Sequence, residues 1–317
     1  RHAQRSGSSA QKNAVAEWIK AYQTACAGST INYEGSGSGA GITAFIAGTA
    51  DFAGSDSALK EDQQPKADQR CAGNPAIHLP AVIGPIAIVF NLDGVDTLNL
   101  SPATIAKIFS GKVTKWNAPE IAADNAGVTL PDTTINPVHR SDESGTTENF
   151  TKYLAKVAEA DWTYDAAKTW PSAITGGTGQ KFGRHRDLGQ GCGRLHRLRR
   201  DVLRRELRPQ HRQGEERRRR VHRADRRGGR QDHRGRQGHR HRQRPQDVGR
   251  LRHHHRGAYP IVLVTYEIAC SAGNSADKLA LIKGFLGYAA STTGQATLLE
   301  LGYAPLPESV RAKVETA

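Results

Sequence analysis

The chain has 317 residues, 37% of them apolar and 24% charged, with a formal net charge of +14. That length accommodates two domains of ordinary size, and the longest apolar run, near Pro260-Ile-Val-Leu-Val264, falls far short of the roughly 20 residues that a membrane-spanning helix needs. The positive charge is local: residues 183–256 hold 26 Arg against 8 Asp plus Glu, a net +18, which leaves −4 for the rest, an ordinary and mildly acidic globular chain.

Residues 11–26 read as an amphipathic helix with Val15, Trp18, Ile19 and Tyr22 on one face. A strand over 31–34, a helix over 42–47 and a strand over 51–56 that ends in a loop follow; this strand-loop-helix alternation predicts an α/β protein. Between the first strand and its helix lies Gly35-Ser-Gly-Ser-Gly-Ala-Gly41. Its glycines let backbone N–H groups converge where the first turn of a helix has donors without internal partners, a geometry that suits a tetrahedral oxyanion. Residues 77–92 carry two apolar strand-like runs separated by Gly84-Pro85, expected as a crossing between domains. Helices over 101–109 and 119–123 are joined by Ser110-Gly-Lys-Val-Thr-Lys-Trp116. Arg140-Ser-Asp-Glu-Ser-Gly-Thr146 then sets a guanidinium four residues ahead of Ser144. The Ser144 hydroxyl and the N–H groups after it cap a helix over 148–154, so a full charge adds to a helix dipole. Near the end come an apolar strand over 259–268 and helices over 278–290 and 291–301. Singly, a Gly/Ser loop is a turn and a serine before a helix is a cap; together the two segments read as halves of one anion site.

Residues 183–256 contain no Lys, Ser, Thr, Asn, Ile, Phe, Tyr or Trp. Three readings compete: a basic arm for nucleic acid, a His-rich metal tract around His253-His-His255, and a reading-frame slip. The genetic code favours the slip. Apart from Cys192, every residue type present has codons that begin with C or G, which is what results when a one-base slip moves the G or C third bases of a GC-rich gene into first place. Undoing the slip over 239–257 permits a Gly/Asn turn and strand that run into Ala258-Tyr-Pro-Ile-Val-Leu-Val264, and residues 1–5 behave the same way. A stretch so charged buries too little apolar surface to offset chain entropy and is expected to be disordered over 183–257. A nucleic-acid arm would mix Lys with Arg and carry Ser, Thr or aromatics; no nucleic-acid partner is expected, and the alternative would show itself as binding that weakens steeply with salt. Outside this stretch lie Cys26, Cys71 and Cys270. A Cys26–Cys71 bridge would suit an exported protein; the other reading is three unrelated thiols, with Cys270 buried or unpaired.

Five motifs, Gly35-Ser-Gly-Ser-Gly-Ala-Gly41, Asp51-Phe-Ala-Gly-Ser-Asp-Ser-Ala-Leu59, Phe109-Ser-Gly-Lys-Val-Thr-Lys-Trp-Asn117, Arg140-Ser-Asp-Glu-Ser-Gly-Thr146 and Gly302-Tyr-Ala-Pro-Leu-Pro307, resemble in order the phosphate-binding protein of the bacterial phosphate ABC transporter, the PstS family. The resemblance implies the α/β, two-domain periplasmic-binding-protein fold of type 2, with a ligand cleft between domain I, from both chain ends (1–87 and 258–317), and domain II, from the middle (88–257). Carried over motif by motif, the phosphate ligands are Ser9 and the Ala10 N–H, Ser38, Asp56, Arg140, Ser144, the Gly145 N–H and Thr146. It also implies an extracytoplasmic protein, in the periplasm or anchored as a cell-surface lipoprotein. Its partners would be phosphate and the membrane permease subunits of the transporter, and it would be a monomer with no cofactor, no metal and no catalytic residue.

The residue chemistry fits those roles. Arg140 alone among them is cationic and supplies most of the attraction, while Ser38, Ser144 and Thr146 donate neutral hydrogen bonds. Asp56 repels an anion unless the ligand brings a proton for it to accept; phosphate near neutral pH carries one and sulfate does not, so Asp56 would reject sulfate. The other reading of Asp56 is a loop-end Asx turn, and Asp142 either orients Arg140 through an ion pair or is simply exposed. A phosphatase-like enzyme on the same anion site is the rival function. It would need a base beside Ser38 or Ser144, and outside the aberrant segment only His2, His78 and His139 remain, with no G-x-S-x-G elbow.

Overall fold

A computed structural model describes residues 2–181 and 261–316. Its main sheet has five strands. The first strand, β1 (His2–Gly7), lies parallel to both β2 (Thr30–Glu34) and β3 (Phe52–Ser55), and β7 (Val262–Cys270) runs antiparallel between β3 and β4 (Ala76–Pro85). Helix α1 (Lys12–Ala25) connects β1 to β2, and α2 (Ser38–Ile46) connects β2 to β3. Since β2 and β3 flank β1 on opposite sides, the winding reverses at β1, and in open α/β sheets the ligand crevice lies outside the carboxyl ends of the strands at such a switch point.

Helices cover both faces. Phe52 and Ala269 pack with Ala14, Val15 and Trp18 of α1 and with Leu281, Ile282 and Phe285 of α7 (Ala276–Ala290). Their chain neighbours Ala53 and Ile268 pack with Ile42 and Phe45 of α2 and with Ala67 of α3 (Gln64–Arg70). Successive strand residues point to opposite faces, so these clusters are the two sides of one sheet. The middle of the chain supplies α4 (Pro102–Phe109), α5 (Pro119–Asp124), β5 (Val138–Arg140), α6 (Gly145–Val157) and β6 (Thr178–Gln180). Strands β5 and β6 pair in parallel, and Ile108, Val113, Ile121 and Ile135 form a separate small core.

Three expectations change. Residues 77–92 are not two strands split at Gly84-Pro85: β4 runs unbroken to Pro85, with a register shift between Pro80 and Val82, because β4 is an edge strand, where prolines are tolerated. The helix expected over 291–301 stops early, as α8 (Thr292–Ala296), and a further helix, α9 (Glu308–Glu315), follows. The bridge is Cys71–Cys270, with Cα atoms 5.4 Å apart, and not Cys26–Cys71; Cys26 is free. The β4–β7 register places Cys270 opposite Ala76, beside the turn that follows α3, whereas Cys26 ends α1 on the other face of the sheet.

As written, residues 2–7 are strand β1, and Arg5 is fully buried there: it pairs with Glu267 and lies 4.3 Å over the Tyr33 ring. Burial pushes the Glu267 carboxyl up, against the pull of Arg5. The aberrant stretch 183–257, with its expected disorder, and the domain boundary at 257/258 lie outside the described residues.

Candidate anion-binding site

The loops that leave the carboxyl ends of β1, β2 and β3 converge. After β1, Ser8 caps a short 3-10 turn, Ser9–Gln11; its Oγ accepts the Ala10 N–H (3.0 Å) and donates to Asp56 Oδ1. Ser9 itself is buried. After β2, Ser38 opens α2, and its Oγ accepts the N–H groups of Asp56 (3.1 Å) and Gly145 (3.3 Å). Asp56 follows β3 directly. This convergence needs a bare backbone at Gly7, where a Cβ would lie 2.1 Å from the Gly54 carbonyl oxygen.

The second half comes from β5 and α6. Arg140 ends β5, and its Nε donates to Asp142 Oδ1 (2.6 Å) while Nη2 pairs with Oδ2, so Asp142 grips the guanidinium rather than standing free. Ser144 caps α6: its Oγ accepts the Thr147 N–H (3.4 Å), and its own N–H donates to the Lys168 carbonyl (2.9 Å). Thr146 Oγ1 donates to Asp56 Oδ2 (3.3 Å), and Asn149 Nδ2 donates to the Asp56 carbonyl (2.8 Å). Gly39 N–H donates to the Glu143 carbonyl (3.1 Å). A Cβ at Gly145 would lie 2.6 Å from both Asp56 Cβ and Ser38 Oγ, so only glycine lets α6 start this close.

The structure thus brings Ser38, Asp56, Gly145 and Thr146 into one hydrogen-bonded cluster, with Arg140 and Ser144 on the adjoining loop. The Ala10 N–H is engaged by Ser8. Asp56 is 4% exposed, and burial pushes its carboxyl up to about 6, against the opposing hydrogen bonds of Ser8 and Thr146, the charge of Arg140 and the hydroxyl of Ser38. With two N–H groups pointed at its oxygen, the Ser38 hydroxyl acts through its one proton as the donor. Chemically the cluster offers neutral donors, a nearby guanidinium and one carboxylate that must accept: a set suited to an oxyanion that still carries a proton. His139, the candidate base of the enzyme reading, stacks on Trp170 at 4.5 Å, and its Nδ1 sits 2.9 Å from the Arg140 carbonyl oxygen. Among the described residues no cluster of His, Cys, Asp and Glu could hold a metal ion. Sequence reasoning missed Ser8, since in Ser6-Gly-Ser-Ser9 the spacing does not say which hydroxyl turns inward. It also missed Asn149, although its place one turn after Gly145 was a usable signal.

Residues 2–190 match the family model of the PBP superfamily domain. The chain is 35% identical to the phosphate-binding protein PstS 3 of Mycobacterium leprae over 98% of this chain and 85% of that protein. It is 36% identical, with the same coverage, to the phosphate-binding protein PstS2 of Mycobacterium bovis. Among solved structures, a high affinity periplasmic phosphate-binding protein (PfluDING) bound with phosphate superposes with a TM-score of 0.70 at 19% identity, over 100% of this chain and 93% of the other. At that identity the likeness is one of fold, the two-domain periplasmic-binding-protein fold. With that fold, and with close relatives along nearly its whole length, the chain belongs to the PBP superfamily and, within it, to the family of the PstS phosphate-binding proteins.

Proposed function

We propose that the protein captures inorganic phosphate outside the cytoplasm and delivers it to an ABC importer, acting as the binding component and not as an enzyme. The observation that carries this is Asp56: a buried carboxylate ringed by the hydroxyls of Ser8, Ser38 and Thr146, beside Arg140. The relatives' names, phosphate-binding protein PstS 3 and PstS2, point the same way. Phosphate would sit between a first lobe, built from 1–87 and 258–317, and a second, built from 88–257. Arg140 would bind two of its oxygens as a planar fork, and Ser9, Ser38, Ser144 and Thr146 would donate to it, as would the N–H groups of Ala10 and Gly145 by sharing their hydrogens with Ser8 Oγ and Ser38 Oγ. Asp56 would accept the ligand's own proton. Sulfate, which brings none at neutral pH, would leave that carboxylate facing an unprotonated oxygen.

The Cys71–Cys270 bridge suits an oxidising compartment, in the periplasm or on a lipid-anchored protein at the cell surface. A monomer that hands phosphate to permease subunits fits the same picture. Calorimetry on the full chain tests it: phosphate binds and sulfate does not. Equal binding of the two anions would overturn the reading.

A further inference from the structure

Both hydrogen-bonding directions of the Ser8 hydroxyl are fixed inside the protein. Its Oγ accepts the Ala10 N–H at 3.0 Å, which directs its single proton to Asp56 Oδ1. Ser8 is 1% exposed, and its own carbonyl accepts the Tyr33 hydroxyl, so the loop after β1 is held from two sides. With Ser8 on Oδ1, the more loosely engaged oxygen is Oδ2, where the Thr146 hydroxyl stands at 3.3 Å, the far end of the hydrogen-bonding range.

We infer that Ser8 is a positioning residue for phosphate recognition: it locks one carboxylate oxygen of Asp56 and keeps the group ionised, so that the other oxygen accepts the proton of a monoprotonated oxyanion. This presupposes phosphate as the ligand. Donation to the charged form favours it, and of the influences that oppose burial at Asp56 the Ser8 hydrogen bond is the largest. Among the described residues, the other charged or titratable groups around the site are Arg140 with its partner Asp142, the neighbouring His139, Glu143 beside Gly39, the Glu148–Lys168 pair by Ser144, Lys12 beside Gly35, Tyr33 on β2, and the Arg5–Glu267 pair on β1 and β7. Apart from Arg140, none of them makes a hydrogen bond to the Asp56 carboxyl or opposes its burial.

The test is the phosphate dissociation constant of the full chain, measured by calorimetry from about pH 5 to pH 8 for the unmutated protein, Ser8→Ala, Ser8→Thr and Asp56→Asn with and without Ser8→Ala. Affinity should fall as pH drops through the Asp56 titration. In Ser8→Ala that fall should begin about one pH unit higher, a roughly tenfold loss below the midpoint that shrinks towards high pH. Ser8→Thr should restore the unmutated profile, and Ser8→Ala should have no pH-dependent effect once Asp56 is Asn. An unmoved pH profile in Ser8→Ala, even with a lowered melting temperature, overturns the inference, as does an equal shift with Asn at position 56. If Ser8→Ala does not fold, a Ser8→Thr protein whose profile departs from the unmutated one overturns it as well. Absence of phosphate binding by the unmutated chain at every pH is a different result, which removes the function reading itself.

Discussion

The loops at the ends of β1, β2 and β3 bring Ser8, Ser38 and Asp56 to the site, all at 4% exposure or less, whereas the segment from β5 into α6 brings Arg140, with its side chain 15% exposed, clasped by Asp142. The first set is dry and neutral apart from one carboxylate; the second holds the charge and keeps more contact with water. On the function proposed above, attraction and discrimination would come from different parts of the chain. A guanidinium draws in any oxyanion, and partial exposure lets its field reach outward. Whether the anion is kept would depend on a proton, read at Asp56, where water is excluded and an unmatched acceptor is costly.

Arg140→Ala separates the two contributions most sharply. Hydrogen bonds to charged groups are worth roughly 1.5–3 kcal/mol, so phosphate affinity should drop on the order of 100-fold. The preference for phosphate over sulfate should survive, because Asp56 is untouched. Arg140→Lys should recover only part of the affinity, since a point charge cannot bind two oxygens as a fork does. If Arg140 serves only to hold Asp142, the melting temperature of the ligand-free protein will fall while the dissociation constant stays put.

Asp56→Asn acts on the other half. An amide can donate to an unprotonated oxygen, so sulfate should gain affinity and the selectivity should relax, as competition calorimetry would read. Stability should move as well, with a definite sign. The folded carboxyl titrates near 6, above the ordinary value of 3.8. The native state therefore holds more protons than the unfolded state between those values, and stability contributed by Asp56 falls as pH rises through that window and stays low above it. At neutral pH the ligand-free Asp56→Asn protein should melt higher than the unmutated one, and the gap should close towards pH 4. A lower melting temperature at pH 7 would mean that the Ser8 and Thr146 hydrogen bonds outweigh the burial of the charge.

These two halves were not equally legible in the sequence. Arg140, Asp142, Ser144 and Gly145 fall within a few residues of one helix start, and a cap with a nearby cation is a local pattern that sequence alone carries. The first half depends on which strand ends come together. The Gly35–Gly41 loop and Asp56 announced themselves, yet the role of β1 was hidden, because Arg5 and its neighbours do not read as a buried strand until Glu267, on β7 beyond β3, is placed within reach of the guanidinium. Ser8 was missed for the same reason: its partner is 48 positions away. The bridge Cys71–Cys270 joins residues 199 apart and follows from the β4–β7 register, which no local pattern states.

Ser38→Ala should weaken phosphate binding less than Arg140→Ala, by about fivefold for the loss of one neutral hydrogen bond. Its cost in stability should be comparatively large. Ser38 Oγ takes N–H groups from Asp56 in the first half and from Gly145 in the second, and truncation leaves both donors buried without that acceptor. Thermal melting of the ligand-free protein reads that loss, about 1–3 kcal/mol per stranded group at most.

Removing the disulfide should change binding least of all. Strand β7 runs antiparallel to β3, with Ser55 beside Tyr266 and Ala53 beside Ile268, so Cys270 lies past the opposite end of β3 from Asp56. Along the strand, the span from 266 to 270 alone is roughly 13 Å. The bridge instead fastens the turn after α3 to the last residue of β7, on the face covered by α2 and α3. Cys71→Ser with Cys270→Ser should therefore lower unfolding stability by roughly 2–4 kcal/mol, as denaturant titration would measure. The phosphate dissociation constant and its pH profile should stay where they were. A pH profile that shifted with the bridge removed would show that the position of Asp56 depends on the far end of the sheet and not only on the loops that surround it, and the division of labour between the two halves would then have to include the sheet that carries them.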